Sequence, residues 1–253
     1  RAPWVARMDA DDIATPHRLA RQAALLASQP SVAIVGSLVR CFSRTVLGEG
    51  YRLYERWLNG LVSHNDITRE MFVESPLAHP SVMYRKAAVM ALGGYRDAGW
   101  AEDYDLWLRA AGAGLRFAKV PEVLLYWRDH AGRHSRSHPR YGWDAFLRLK
   151  AHFLAVGPLM GREVVIWGAG PIGRRLSRHL RCHGVRGLAF IDVDPRKIGR
   201  ILHDAPVVGA GSLERFAQTP LVAAVGSRGA RALIRAELVR QGREEGRDFV
   251  CAA

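Results

Sequence analysis

The sequence predicts an α/β chain in two parts, on three observations. Short apolar runs of strand character alternate with amphipathic stretches of helical period along the 253 residues, which in the second part implies a parallel sheet covered on both faces. The composition shifts at residues 128–140, which are rich in His, Arg and Ser and lack apolar periodicity, and Gly157-Pro158 breaks the chain soon afterwards. From residue 162 a second pattern begins: a strand, a glycine-rich turn and a helix in succession. Residues 1–140 and 161–253 are therefore assigned to two domains, with a linker helix over 141–160.

In order, the apolar run at Trp4-Val5-Ala6 reads as a buried strand. Thr15-Pro16 starts a helix with Leu19, Ala23 and Leu26 on one face, and Gln29-Pro30 stops it. Residues 31–42 are rich in β-branched side chains and predict a strand, 43–64 give mixed signals, and 66–72 suit a short helix. A strand at 81–84 leads to a helix over 85–92 closed by Gly93-Gly94; 102–111 is a helix with Leu106 and Ala110 inward; 115–120 and 122–127 are strands. Residues 141–156 form an amphipathic helix with Phe146, Leu149 and Phe153 on its stripe. In the second part, strands are expected at 163–167, 188–191, 221–225 and 248–251, with helices from 171 to about 183, near 213–217, and up to about 241.

The chain carries 37 Lys and Arg against 24 acids, a net charge of +13. Such an excess suits phosphorylated substrates, an anionic membrane surface or nucleic acid. Much of it is arginine spaced along helices (Arg174, Arg175, Arg178, Arg181; Arg231, Arg235, Arg240), which reads equally as a solvated face. No basic run is interleaved with aromatics, so no nucleic-acid partner is expected. Cys41, Cys182 and Cys251 are too far apart for zinc or a disulfide framework, which favours a reducing, cytoplasmic setting. No stretch approaches the ~20 apolar residues of a membrane span. A peripheral contact of the 141–156 helix with the inner membrane face stays open. The chain opens on Arg in what reads as a strand, so a preceding part is expected to be missing.

Two acidic sites carry the chemistry. In Arg7-Met8-Asp9-Ala10-Asp11-Asp12, an apolar strand ends in three carboxylates. In extended backbone Asp9 and Asp11 project to one side and share a cation, and oxygen ligands favour Mg2+ or Mn2+ over zinc. Such ions bridge carboxylates to substrate phosphates. The competing reading is a helix N-terminus capped by Asp12 or Thr15, which accounts for those two residues but not for Asp9. The second site, Glu102-Asp103-Tyr104-Asp105, opens a helix, where the dipole favours carboxylates in any case. Read functionally, Asp103 is a general base and Glu102 its neighbour, while Asp105 caps the helix or pairs with Arg109.

These motifs, with Pro16, Arg18, Gln22, then His79-Pro80-Ser81-Val82-Met83, Gly93-Gly94-Tyr95, Leu106-Trp107-Leu108-Arg109 and Arg128-Asp129-His130, resemble the family 2 glycosyltransferases over residues 1–137. The resemblance implies a GT-A fold that lacks its N-terminal nucleotide-binding part here. It also implies inverting transfer from a nucleotide-diphosphate sugar to a glycan or lipid-linked acceptor, in surface polysaccharide or glycoconjugate assembly. It places Asp11 on the metal, Asp9 on the metal and on the donor's ribose or base side, Asp12 on the donor or as an alternative ligand, and His130 at the metal or diphosphate. Asp103 would be the catalytic base beside Glu102, with His79 near the acceptor.

In the second part, Gly168-Ala169-Gly170-Pro171-Ile172-Gly173 follows a strand and opens a helix, and Asp192 ends the next strand. That order is Rossmann-like: the glycines Gly168, Gly170 and Gly173 admit a pyrophosphate to a helix N-terminus, and the acid suits a ribose hydroxyl. Residues 163–209 also resemble nucleotide-binding domains of bacterial polysaccharide-biosynthesis proteins. NAD or a nucleotide sugar is the expected ligand, without hydride-transfer residues to make it redox chemistry. The alternative for the whole chain is a non-catalytic nucleotide-binding or scaffold protein acting through this domain.

Overall fold

The computed structural model describes residues 2–43, 48–130, 132–133 and 138–253. Residues 44–47 of the mixed stretch, and 131 and 134–137 of the His-, Arg- and Ser-rich loop, lie outside the described residues. The chain divides into two compact units, Arg1–Met71 with Ser75–Gly142, and Phe72–Glu74 with Trp143–Ala253.

The sheet of the first unit is mixed. Its two long strands, β3 (Val32–Phe42) and β5 (Arg116–Arg128), run parallel at its centre. Around them are three short strands: β1 (Trp4–Ala6), β2 (Ile13–Ala14) and β4 (Met83–Arg85). The order is β1-β4-β3-β5-β2, and every pairing except β3–β5 is antiparallel. β1 is a half-buried edge strand rather than a buried one. The two strands expected at 115–120 and 122–127 are one. Pro121, which has no N–H for a ladder, sits where the register jumps from Ser37–Val120 to Leu38–Val123, so a bulge absorbs it.

Helix α1 (Arg18–Ser28) starts after Pro16, and its buried stripe is Arg18, Gln22 and Leu26. Leu19, expected inward, is 57% exposed. Helix α2 (Glu49–Gly60) arises in the stretch of mixed signals and buries Leu58. Helix α3 (His64–Arg69) begins two residues before the expected start, because Ser63 and Asp66 form a reciprocal capping box. Helix α4 (Lys86–Ala91) ends at Gly93 and Gly94, whose φ of 83° and 67° turn the chain as only glycine does without strain. Helix α5 (Glu102–Gly112) buries Tyr104, Leu106, Trp107, Leu108 and Ala110.

The second unit has a sheet of order β11-β10-β6-β7-β9-β8. Strands β6 (Val164–Trp167), β7 (Gly187–Ile191), β9 (Ala205–Val208), β10 (Leu221–Ala223) and β11 (Phe249–Cys251) are parallel; β8 (Ile201–Leu202) is an antiparallel edge. The β8–β9 hairpin was not expected: it is four and two residues long and turns through His203 and Asp204, both at positive φ. The helices are α6 (Trp143–Val156), α7 (Pro171–Cys182) and α8 (Ala230–Arg240), and the helix expected near 213–217 is a 3-10 turn, Ala210–Phe216. The helix read as a linker packs into this unit's core: Leu147, Ala151, Leu154 and Ala155 lie with Val164, Ile166 and Leu176. Of the expected stripe, Leu149 is fully buried, whereas Phe146 and Phe153 are only half-buried. Lys150 is buried on α6, donating to the carbonyls of Val73 at 2.7 Å and Ala252 at 3.0 Å, and burial lowers its pKa. Among the described residues, no helix is long and apolar enough to cross a membrane.

Candidate active site

The three carboxylates lie in a turn between β1 and β2, closed by the Asp12 amide donating to the Asp9 carbonyl at 3.3 Å. The strand ends at Ala6, so Asp9 and Asp11 are not projected by strand alternation; the turn sets their positions. Both carboxylates already face a base: the Arg7 guanidinium is 2.6 Å from Asp9, and His130 Nε2 is 3.0 Å from Asp11 Oδ2. His130 comes from just beyond β5, so the structure joins two residues that are 119 apart in sequence. Asp12 differs from its neighbours. It is buried, Oδ1 accepts the Arg128 amide at 2.8 Å, and Oδ2 has no partner among the described residues. Burial pushes its pKa up to about 6, opposed by the Arg128 amide and assisted by Asp9 and Asp11.

On the other side stand His79, Tyr95 and the start of α5. His79 Nε2 meets the Tyr95 hydroxyl at 2.9 Å, and its ring packs edge-on to buried Trp107. Burial, then the neighbouring Arg7 charge, push the imidazole down to about 4, while Glu102 and Asp9 pull it up. Thus the charges of Arg7 and Asp9 from the turn and of Glu102 from α5 all bear on one histidine. Glu102 accepts the Tyr141 hydroxyl on both oxygens, at 3.0 and 2.8 Å, with Arg140 at 3.7 Å. Asp103 is half-buried beside it, and its charge raises the pKa of both Tyr95 and Tyr141, after burial as the main cause. Asp105 is taken up in structure: Arg109 at 2.6 Å and the Trp100 indole at 3.1 Å fill its oxygens, and Arg109 goes on to the Leu92 and Gly94 carbonyls.

The His79 shift has a measurable consequence. A histidine held neutral by the fold contributes stability that is full above its ordinary 6.5 and drains as pH falls towards about 4. Asp12 acts in the reverse sense, its contribution lost as pH rises from 3.8 through about 6, so the quantity to read is a difference. Denaturant unfolding of the wild type and His79→Gln is expected to show the wild type losing stability relative to the variant between those limits. A difference that does not change with pH would mean that His79 titrates normally.

A family model described as "Glycosyl transferase family group 2" matches residues 4–182. The chain belongs to this family. Among its relatives are an uncharacterized glycosyltransferase of Haemophilus influenzae, 36% identical over 134 residues, and the amylovoran biosynthesis glycosyltransferase AmsE of Erwinia amylovora, 35% identical over 140. A third is the O-antigen biosynthesis glycosyltransferase WbnJ of Escherichia coli, 31% identical over 128 residues. The matches cover 53%, 55% and 50% of this chain and 47%, 49% and 47% of the relatives. The chain thus spans about half the length of the curated relatives it matches.

Within this glycosyl transferase family chain, the residues present fit a hard divalent cation. Asp9 and Asp11 are exposed oxygen donors in one turn. Among the described residues no three His, Cys, Asp or Glu side chains gather into a metal site. Sequence reasoning missed Arg7, Tyr95 and Tyr141. Tyr95 stood in a quoted motif, but the Tyr141–Glu102 bond spans 39 residues and leaves no local pattern.

The glycine loop of the second unit follows β6 and opens α7 as expected. A side chain at Gly168 would meet the Ala224 carbonyl at 2.7 Å, and one at Gly173 would collide with the Gly168 carbonyl; at Gly170 it would meet nothing within 4 Å. Two glycines therefore serve the turn, and the third leaves an open approach. Asp192 is more committed than a free ribose acceptor. Oδ2 takes the Ala169 amide and Lys197, each at 2.9 Å, and Oδ1 takes the Asp194 amide at 2.9 Å.

Proposed function

We propose that the first unit carries the cation and acceptor sides of an inverting glycosyltransferase. It would take a nucleotide-diphosphate sugar as donor and a glycan or lipid-linked hydroxyl as acceptor, in surface polysaccharide or glycoconjugate assembly. One observation carries the reading: His79 packs against Trp107 of α5 and meets Tyr95, and the charges of Asp9 from the acidic turn and Glu102 from the start of α5 both act on it. The names of the Erwinia and Escherichia relatives, for amylovoran and O-antigen biosynthesis, support the setting.

In this reading Asp9 and Asp11 hold Mn2+ or Mg2+, with His130 beside them, and the ion supplies charge neutralisation to the diphosphate as it leaves. Asp103 takes the proton of the acceptor hydroxyl. The acceptor oxygen forms its bond to the anomeric carbon as the carbon–oxygen bond to the diphosphate breaks on the opposite face, so the configuration inverts. Glu102 stands beside Asp103 and accepts the Tyr141 hydroxyl on both oxygens. His79, neutral at physiological pH and bonded to Tyr95, offers the acceptor a polar uncharged contact. Calorimetry with UDP-, dTDP- and GDP-sugars tests the donor side: Mn2+-dependent binding of one of them, lost in Asp11→Ala, is expected. Binding that ignores both Mn2+ and Asp11 would sink the reading.

A second reading concerns the other unit. Gly170, open to approach at the start of α7, favours a Rossmann-like site for the phosphates of NAD or a nucleotide sugar. Binding of either to the full chain that is abolished by Gly170→Val but untouched by Asp11→Ala is the expected result. Equal binding by the Gly170 variant would refute it.

A further inference from the structure

We propose that Asp12 and Arg18 are positioning residues that mount the acidic turn from its two ends, leaving Asp9 and Asp11 to meet the cation. The inference rests on the cation reading above and assigns a different task to the third carboxylate. Arg18 is only 1% exposed on α1, at a place where an amphipathic helix ordinarily puts an aliphatic side chain. Its Nη2 donates to the Arg7 carbonyl at 2.7 Å and its Nη1 to the Met8 sulfur at 3.4 Å, which fixes the entry to the turn. Its Nε donates to Gln22 at 3.1 Å, and the Gln22 amide donates to the carbonyls of Ser81 at 2.8 Å and Val35 at 3.2 Å. The entry is thereby tied both to β3 and to the short turn that carries His79.

Asp12 fixes the exit. Its Oδ1 accepts the Arg128 amide, and the Arg128 side chain returns to the Asp11 carbonyl at 2.6 Å while lying over the Phe42 ring at 4.6 Å. Both posts are buried side chains whose hydrogen bonds, not their charges, hold the backbone of the turn. Burying a guanidinium costs several kcal/mol unless its hydrogen bonds are satisfied in good geometry. The return here is a turn held in one shape before any cation arrives, with Asp9 and Asp11 left 37% and 45% exposed.

The test separates a post from a ligand. Asp12→Asn keeps an oxygen for the Arg128 amide but removes the charge; Asp12→Ala removes both. In the full chain, Mn2+ affinity by calorimetry is expected to fall about tenfold or more in Asp12→Ala, and much less in Asp12→Asn, as for residues that orient a metal's ligands. Hydrogen exchange at residues 8–12 and at the Arg128 amide should quicken without metal in Asp12→Ala and in Arg18→Met, and stay near wild type in Asp12→Asn. If Asp12→Asn weakens Mn2+ as much as Asp11→Ala does, Asp12 is a ligand and the proposal falls. If the wild type binds no Mn2+, the cation reading fails. Exchange then decides the mount alone: faster exchange in Asp12→Ala than in Asp12→Asn supports it, and equal exchange overturns it. Should Arg18→Met not fold, the Asp12 pair decides the matter.

Discussion

Asp103→Asn is expected to lower kcat by about three orders of magnitude, the upper part of what a positioned general base supplies. The amide keeps the size and a hydrogen-bonding oxygen but cannot take the acceptor's proton. Donor affinity should be little changed, because Asp103 stands on α5, apart from the turn that holds Asp9 and Asp11. The contrast is with Glu102→Gln and Tyr141→Phe. Glu102 accepts the Tyr141 hydroxyl on both oxygens, and a glutamine oxygen still accepts one such bond. Each of those changes removes part of one hydrogen bond and should cost about tenfold or less. Initial rates of nucleotide diphosphate release give all three values. If Glu102→Gln were the crippling change and Asp103→Asn the mild one, the base would be assigned to the wrong carboxylate.

Gly173→Ala should destabilise the second unit by about 3 kcal/mol or more, even though alanine is intrinsically the better helix residue by ~1 kcal/mol. The new methyl group would collide with the Gly168 carbonyl oxygen and sit 3.0 Å from its carbon, both backbone atoms with no rotamer to yield. The expected loss is roughly 10 °C in Tm for a domain of this size. Gly170→Ala is the control, since nothing lies within 4 Å of the added atom. Thermal unfolding of the two variants side by side should show Gly173→Ala clearly lower. Equal melting would mean that the glycine turn is looser than its geometry indicates.

Much of the fold could be read along the chain where the pattern is local. The β-branched run of β3, the inward Leu106 and Ala110 of α5, and the succession of β6, glycine turn and α7 all follow from residues close in sequence. What escaped has physical causes of three kinds. Hydrophobicity places Leu19 inside and Arg18 outside, whereas the buried guanidinium is held by carbonyls and a glutamine that only the folded chain brings to it. Short strands such as β2 and β8 are too brief for alternation to register, which is why the β8–β9 hairpin was hidden. Helix α2 buries Leu58 and packs Tyr54 and Trp57 against the same cluster, a face broken up in sequence by Arg52, Glu55 and Arg56.

The candidate site divides in the same way. Its acids were legible as types and spacings: Asp9, Asp11, Glu102 and Asp103 stand in short motifs. Their direct partners were not, although His130 stood among the residues expected at the metal. His130 reaches Asp11 across 119 residues and Tyr141 reaches Glu102 across 39, and neither pairing has a local signature. Asp12 was legible as a carboxylate but not as a buried one, because the Arg128 amide that fixes it comes from the far end of the unit's last strand.

The central claim is that the acidic turn and the start of α5 form one transfer site around His79. Mn2+ is paramagnetic and broadens the NMR signals of nuclei near it, so a titration of the full chain with Mn2+ reads this arrangement without any turnover. The His79 and Tyr95 ring signals are expected to broaden in step with those of Asp9 and Asp11, and all of them to stay sharp in Asp11→Ala. Broadening confined to the turn, with His79 and Tyr95 untouched, would contradict the claim.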